Sequence, residues 1–327
     1  MGSQQTKDEK AIIEPWGAQL PGNAGKRTCL ITGGNSGLGF ESARSLLVKG
    51  YKVIIACRNA EKAKAAVSKL KSLVQFKTDA EANDAISFQI LDVSSLKSVN
   101  TFADSFLSNP KNRIHVLMCN AGIMMGAQRK SADGFDLQLA TNYLGHFHLV
   151  KRLQERLVEC APARIIHISS IAARFGSIHW DDMNFTSSEY NSMKAYQQTK
   201  LMQVIFSREL GERLKGTGVT SNSLEPGIVK TGLSQGITDD PAMRKRLENG
   251  VSVEEGAQTQ IHLASCTDSS VAGVTGEHWQ DCAVISRGLS KFKYIMAAHD
   301  LRKSVGPKLW QASEKMIAAV LQEEKID

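Results

Sequence analysis

Thr28-Cys29-Leu30-Ile31-Thr32-Gly33-Gly34-Asn35-Ser36-Gly37-Leu38-Gly39 decides the fold class of this 327-residue chain. Thr28 to Thr32 is a strand-length apolar run, and a helical stretch from Gly39 to Lys49 follows, stopped at Gly50. Strand, glycine loop and helix in succession make a turn whose small residues let main-chain N–H groups approach a bound anion at a helix N-terminus. The spacing Gly33-x-x-x-Gly37-x-Gly39 fits neither Gly-x-Gly-x-x-Gly nor a phosphate loop ending in Gly-Lys-Ser/Thr. Phe40 stands where an epimerase-type variant needs its third glycine. A glycine-rich turn without a ligand is the bland alternative, and the rest of the chain must decide.

Outward from this loop the pattern repeats. Apolar runs at 28–32, 51–57, 86–91, 114–119, 164–169 and 219–224 read as strands, separated by segments of helical length such as 60–73. Strands separated by such lengths need crossovers, hence a parallel sheet covered on both faces. The expectation is an α/β protein with a single Rossmann-type doubly wound parallel sheet over 26–290. Residues 1–25, polar and rich in glycine and proline, form an N-terminal extension, and 291–327 a C-terminal helical extension with an amphipathic helix from Val305 to Glu324.

Composition narrows the function. A net charge of +7, with Lys and Arg spread along the chain, gives no basic block for nucleic acid. Cysteines 29, 57, 119, 160, 266 and 282 are scattered without a Cys-x-x-Cys and several sit in strands, so they read as reduced, buried thiols of a cytoplasmic protein. The eight histidines lack metal-ligand spacing; His146 and His148 read as packing or surface residues, and no metal is expected. No apolar run reaches the ~18–20 residues of a membrane span. Met1-Gly2-Ser3-Gln4-Gln5-Thr6 fits the N-myristoylation pattern, with coincidence or a tag remnant as the alternative. A single acyl chain would give only peripheral, reversible membrane contact.

The chemistry points to Tyr-x-x-x-Lys, which occurs twice: Tyr196/Lys200 and Tyr190/Lys194. On a helix this spacing puts phenol and ammonium one turn apart, and the ammonium should lower the phenol's pKa. Cofactor choice is readable at the end of the second strand, where Ala56-Cys57-Arg58-Asn59 offers an arginine and no carboxylate. A carboxylate there would repel a 2′-phosphate, whereas Arg58 can pair with one bidentately, so NADP(H) is expected.

Glycine loop, Asp92-Val93, Asn120-Ala121-Gly122, Asn142, Ser170, Tyr196-x-x-x-Lys200 and Pro226-Gly227, in that order, resemble the short-chain dehydrogenase/reductase family over roughly residues 26 to 285. Ala56-Cys57-Arg58-Asn59, the stretch Thr141 to Phe147, Gly218 to Asn222 and Leu309 to Lys315 look most like the retinol dehydrogenases and the oxidoreductase domain of the WW-domain-containing oxidoreductase. The resemblance favours Tyr196, because Thr199 supplies the Ser or Thr that usually precedes the lysine and Met193 does not.

It implies Tyr196 as general acid/base, Ser170 as the group that bonds the substrate oxygen (Ser169 being the neighbouring candidate), Lys200 as the residue that lowers the tyrosine pKa and binds the nicotinamide ribose, and Asn142 as the holder of a relay water. By the same similarity Gly33, Asn35, Ser36, Gly37, Leu38 and Gly39 take the pyrophosphate, and Asp92 and Val93 the adenine. Asn120, Ala121 and Gly122 match a largely structural stretch beside the cofactor. Pro226, Gly227 and Val229 match the nicotinamide-side loop, with Thr231 on the carboxamide or pyrophosphate.

Glu225 departs from the histidine common before Pro226 and should alter charge there. The long interval from Ser170 to Tyr196 carries Phe175, Ile178, Trp180, Met183 and Phe185, which either wall a substrate pocket or pack a loop. Residues 233–251 read as a lid. The expected activity is NADP(H)-dependent interconversion of a small lipophilic alcohol and its aldehyde or ketone, a retinoid, steroid or other metabolic lipid. The alternative is a dinucleotide-binding regulatory or scaffold protein with weak catalysis. A homo-oligomer is compatible with either.

Overall fold

A computed structural model describes residues 25–124, 126–233, 245, 248–285 and 304–323. The N-terminal acylation motif and most of the expected lid lie outside them.

The first strand, β1 (Thr28–Thr32), is followed by α1 (Gly37–Val48), β2 (Lys52–Cys57), α2 (Ala60–Leu73), α3 (Asp79–Ala85), β3 (Ile86–Ile90), α4 (Leu96–Leu107) and β4 (Val116–Cys119). A short α5 (Leu137–Leu139) runs through one wide turn (Ala140–Leu144) into α6 (Gly145–Glu159). Then come β5 (Ala163–Ile168), a 3₁₀ turn (Ile171–Phe175), α7 (Ser192–Arg213), β6 (Val219–Leu224), α8 (Val253–Gly256), α9 (Gln258–Ser265), β7 (His278–Gln280), β8 (Ala283–Val284) and α10 (Val305–Glu323).

The sheet order is β3-β2-β1-β4-β5-β6-β7-β8, parallel throughout except for β8, which runs antiparallel on β7. This is the expected doubly wound parallel sheet. The direction of winding reverses between β1 and β4, which opens a crevice at their carboxyl ends. Thr32-Gly33 and Cys119-Asn120 lie there.

Alternation along the central strands divides the core in two. Leu30, Leu117 and Ile165 face one cluster, shared with α4, α6 and α7. Cys29, Ile31, Met118 and Ile166 face the other, shared with α1 and α2. The C-terminal α10 joins the first cluster rather than standing apart. Its Trp310 packs against Phe147 at 5.0 Å between ring centroids, and Ser313 Oγ bonds the buried Tyr143 hydroxyl at 2.8 Å. The core is therefore continuous from β1 to α10.

Close approach fixes one helix. A β-carbon on Gly145 would overlap the Val93 carbonyl oxygen, so the start of α6 lies hard against the loop after β3. Among the described residues no helix is long and apolar enough to cross a membrane. All six cysteines are free thiols, four of them buried.

Candidate active site

Gly33 and Gly37 have φ of 66° and 53°, a region costly for residues with a β-carbon. A β-carbon on Gly39 would come within 2.5 Å of Asn120 Nδ2 and 2.6 Å of the Gly33 carbonyl, which only a glycine tolerates. Thr32, at the end of β1, ties the two edges of the crevice together. Its Oγ1 accepts from the backbone N–H of Asn120 at 2.9 Å and of Ala121 at 3.0 Å, while Asn120 Nδ2 donates to the Thr32 carbonyl at 2.9 Å.

The N-terminus of α1 is open. Asn59, Thr78, Ser95 and Asn191 cap α2, α3, α4 and α7 with side-chain oxygens, but Ser36 makes no such bond and the first turn of α1 holds no acidic residue. Among the described residues its first N–H groups therefore lack a side-chain partner where a dinucleotide's pyrophosphate would need donors.

Other predicted cofactor residues gather round the same opening. A β-carbon on Gly37 would lie 3.6 Å from Thr231 Cγ2, and one on Gly256 would meet Val229 Cγ2 at 2.5 Å and Leu38 Cδ2 at 3.2 Å. Gly227 needs its φ of 80°. Arg58 is exposed just past β2 and forms no ion pair among the described residues. Asp92 Oδ1 accepts from Ser94 N–H at 2.9 Å and Ser94 Oγ at 2.7 Å, which fixes the turn after β3.

The structure separates the two tyrosines. Helix α7 starts at Ser192, so Tyr190 lies outside it and shares no helix face with Lys194; its hydroxyl accepts from Gln138 Nε2 at 3.0 Å. Tyr196 lies inside α7 with Lys200 one turn on, and Lys200 Nζ sits 5.6 Å from the Tyr196 ring centroid. The Ser170 side chain lies close enough to the Tyr196 phenol to act on its pKa. Ser170 is half-buried at the mouth of the 3₁₀ turn, and its Oγ also accepts from Ala172 N–H at 3.1 Å. Ser169 is buried and turned away, donating to the Lys200 carbonyl at 2.8 Å.

Asn142, wholly buried in the wide turn, is held by three bonds. Its Oδ1 accepts from Ile123 N–H at 2.8 Å, and its Nδ2 donates to the Ile123 carbonyl at 3.0 Å and to Thr199 Oγ1 at 3.1 Å. At ~1 kcal/mol net per bond, that is ample to fix one rotamer. A β-carbon on Gly122 would lie 3.4 Å from Asn142 Oδ1 and 3.6 Å from Lys200 Nζ, so these three residues meet.

Two sequence expectations need correction. Lys200 does not bring the Tyr196 pKa below that of a free phenol: burial pushes it up to about 12, and the neighbouring Ser170 side chain only partly offsets it. Burial likewise pulls Lys200 down to about 7, because its Nζ has only the Ile168 carbonyl at 2.9 Å and Gln203 Oε1 at 3.0 Å as partners, neither of them charged. Glu225 brings no net charge to the cofactor loop, since its buried carboxylate is paired with Arg174. Of the apolar residues between Ser170 and Tyr196, Ile178, Trp180 and Met183 pack on the core and Phe185 meets the His179 ring at a tilt and the Tyr190 ring edge-on, so loop packing is their main work. Phe175 alone is strongly exposed.

Thr32, Gln203 and Arg174 were not anticipated. Gln203 stands three residues after Lys200, a helical spacing that signals it; Arg174 and Glu225 are 51 residues apart and nothing local joins them.

A family model described as short chain dehydrogenase matches residues 27–242. The chain belongs to that family. Among relatives of known name, human (Homo sapiens) retinol dehydrogenase 14 is 38% identical over 309 residues, 91% of this chain and 88% of that protein. Human retinol dehydrogenase 12 is 38% identical over 265 residues, 81% and 79% of the two chains. Among solved structures, an uncharacterized protein from Mycobacterium paratuberculosis superposes with a TM-score of 0.66 at 28% identity, over 93% of this chain and 96% of that one. The Pseudomonas aeruginosa RhlG/NADP complex superposes with a TM-score of 0.61 at 25% identity, over 81% and 96%.

This short-chain dehydrogenase is thus an oxidoreductase, and its family implies a nicotinamide dinucleotide. The residues fit one, through the glycine cradle and the open N-terminus of α1. Among the described residues no group of His, Cys, Asp and Glu could hold a metal ion.

Proposed function

We propose that this chain is an NADP(H)-dependent oxidoreductase that interconverts a lipophilic alcohol and its aldehyde or ketone, with Tyr196 as the general acid/base. The observation that carries the reading is the convergence of Ser170, Tyr196, Lys200 and Asn142 beside the glycine crevice. The cofactor, when bound, supplies hydride chemistry; the residues named here orient the substrate and move the proton.

Tyr196, with a pKa near 12, remains a phenol at neutral pH. It is therefore set to donate its proton to a carbonyl oxygen as negative charge builds there. Ser170 Oγ, beside the phenol, would hold that same oxygen. Lys200, held by the Ile168 carbonyl and Gln203, would donate to the nicotinamide ribose and, when protonated, favour the phenolate left after transfer. Asn142 orders the backbone at Ile123 and Gly122 on the far side.

Two features support the substrate and cofactor classes. Ile171, Phe175, Ile228, Leu233 and Val251 are all exposed, on loops at the carboxyl ends of the neighbouring strands β5 and β6 or bridged to them, so the mouth has an apolar rim. A lipophilic compound such as a retinoid, steroid or medium-chain aldehyde suits such a rim, and the similarity to retinol dehydrogenases favours the first. Arg58, which forms no ion pair among the described residues, suits a 2′-phosphate.

The test is a turnover screen with NADPH and NADH against retinal, steroid ketones and medium-chain aldehydes. Oxidation of NADPH with at least one of them is expected. NADPH binding without turnover on any of them would overturn the enzyme reading in favour of a dinucleotide-binding regulatory protein. The cofactor assignment has its own test. Arg58→Ala should raise the KM for NADPH by ~10- to 100-fold, the value of one or two charge-assisted bonds, and leave that for NADH nearly unchanged. Equal effects on both cofactors would exclude Arg58 as the phosphate contact.

A further inference from the structure

Arg174 and Glu225 join the two segments that flank the reacting centre. Arg174 is the fourth residue after Ser170, in the 3₁₀ turn that Ser170 itself caps, while Glu225 directly precedes Pro226 and Gly227. The guanidinium grips the carboxylate with both ends of its fork. Arg174 Nε donates to Glu225 Oε2 at 3.1 Å, and one terminal nitrogen donates to Glu225 Oε1 and, at 2.8 Å, to Gln280 Oε1 on β7. The Glu225 side chain is 1% exposed and that of Arg174 11%.

The backbone on both sides is anchored to the sheet. Glu225 N–H donates to the Trp279 carbonyl at 3.0 Å and Ser169 N–H to the Leu224 carbonyl at 2.7 Å. His278, also buried, closes the cluster with Nε2 3.7 Å from Glu225 Oε2, beyond hydrogen-bond reach, and Nδ1 2.8 Å from Ser223 Oγ. Among the described residues, what lies beyond these anchors, Ser170 on one side and residues 226–231 on the other, has no comparable tie across the gap.

We propose that Arg174 and Glu225 are positioning residues whose buried ion pair holds the Ser170 turn at a fixed distance from the Pro226-Gly227 loop, and so holds the substrate oxygen in register with the nicotinamide. This rests on the activity proposed above. A buried pair of this kind is weak evidence for stability, because apolar residues of like volume often replace such a pair without loss. A bidentate fork does fix both the angle and the separation of the two segments it joins, and Lys cannot reproduce that.

The experiment compares Glu225→Gln, Arg174→Lys and the double variant Arg174→Met/Glu225→Leu with the native chain. Melting temperature, NADPH affinity by tryptophan-to-NADPH energy transfer, and kcat and KM on whichever carbonyl the screen identifies are read for each. In Glu225→Gln, kcat should fall by ~100-fold, since a misplacement of about 1 Å has that effect, while KM for the carbonyl changes much less. Because the Pro226-Gly227 side of the cofactor site also loosens, NADPH affinity should weaken by ~10-fold, the equivalent of about one charge-assisted bond. Arg174→Lys should retain charge and fold but recover little kcat. The double variant should melt near the native temperature and still turn over slowly.

Native kcat and NADPH affinity in a folded Glu225→Gln, or recovery of both together with stability in the double variant, would overturn the proposal and leave the pair a packing element. If Glu225→Gln does not fold, Arg174→Lys and the double variant decide on the same measurements. A native chain that binds NADPH but turns over no carbonyl would defeat the proposed activity alone, and the change in NADPH affinity would still decide the positioning role.

Discussion

Tyr196→Phe is expected to lower kcat by ~10³-fold, within the range for loss of a positioned acid, while NADPH binds as tightly as to the native chain. The phenol is 4% exposed and its ring packs beside Lys200 Nζ, so phenylalanine fills the same space and leaves the cofactor crevice untouched. Only the hydroxyl beside Ser170 is lost. Tyr190→Phe is the matched control: it removes a hydroxyl bonded to Gln138 outside α7 and should cost a fraction of the stability and little turnover. Stopped-flow mixing of each variant with NADPH and carbonyl separates binding from chemistry. Turnover by Tyr196→Phe within about tenfold of native would exclude a positioned general acid at this residue.

Much of this arrangement is written in local sequence. The glycine loop, the capped helices and the alternating strands obey short-range rules, and the predicted strand at 28–32 and helix at 60–73 match β1 and α2 residue for residue. Tyr196 and Lys200 were readable because a helix turns four residues into one face. Local sequence failed where the deciding quantity is three-dimensional. It gave the sign of the Lys200 effect on Tyr196 from charge alone, but the two side chains are 4% exposed and burial outweighs that attraction. It noted Glu225 as an added charge, since Arg174 is brought to it only by the pairing of β5 with β6. It also took Ile178, Trp180 and Met183 as open to a pocket-wall role, because the helix that covers that side, α10, comes more than a hundred residues later.

Burial has a further consequence, for stability in acid. His146 and His167 are fully enclosed, and His115 and His148 are nearly so. Desolvation, the largest cause in each case, holds the first, third and fourth near 4 and His167 near 3, against 6.5 for a free imidazole. The bond that His115 makes requires a neutral ring: its Nδ1 accepts from Thr28 N–H at 3.0 Å at the start of β1. Because the folded pKa lies below the unfolded one, the unfolded chain takes up protons first as pH falls from 6.5 toward 4. Stability is therefore whole above about 6.5 and lost through that window.

For His146, the step from 6.5 to about 4 corresponds to on the order of 3 kcal/mol. Two such residues would cost about 6 kcal/mol, as much as the lower end of the ~5–15 kcal/mol that holds a typical domain together. Lys200 acts in the same direction at higher pH. Its folded pKa near 7 lies below its ordinary 10.5, so the unfolded chain holds the extra proton and stability rises as pH climbs above 7. Cys29, Cys119 and Tyr196 act in reverse, since burial raises their folded pKa values, and they cap the rise once unfolded thiols ionise near 9.

The expected stability maximum is thus mildly alkaline, between about pH 8 and 9. Urea midpoints at about pH 4.5, 6.5 and 8.5 should increase in that order, with the largest step between the first two. His146→Gln keeps a polar group facing Thr32 and should shrink that step; a midpoint that does not change from about pH 4.5 to 6.5 would mean these imidazoles are already charged in the folded chain.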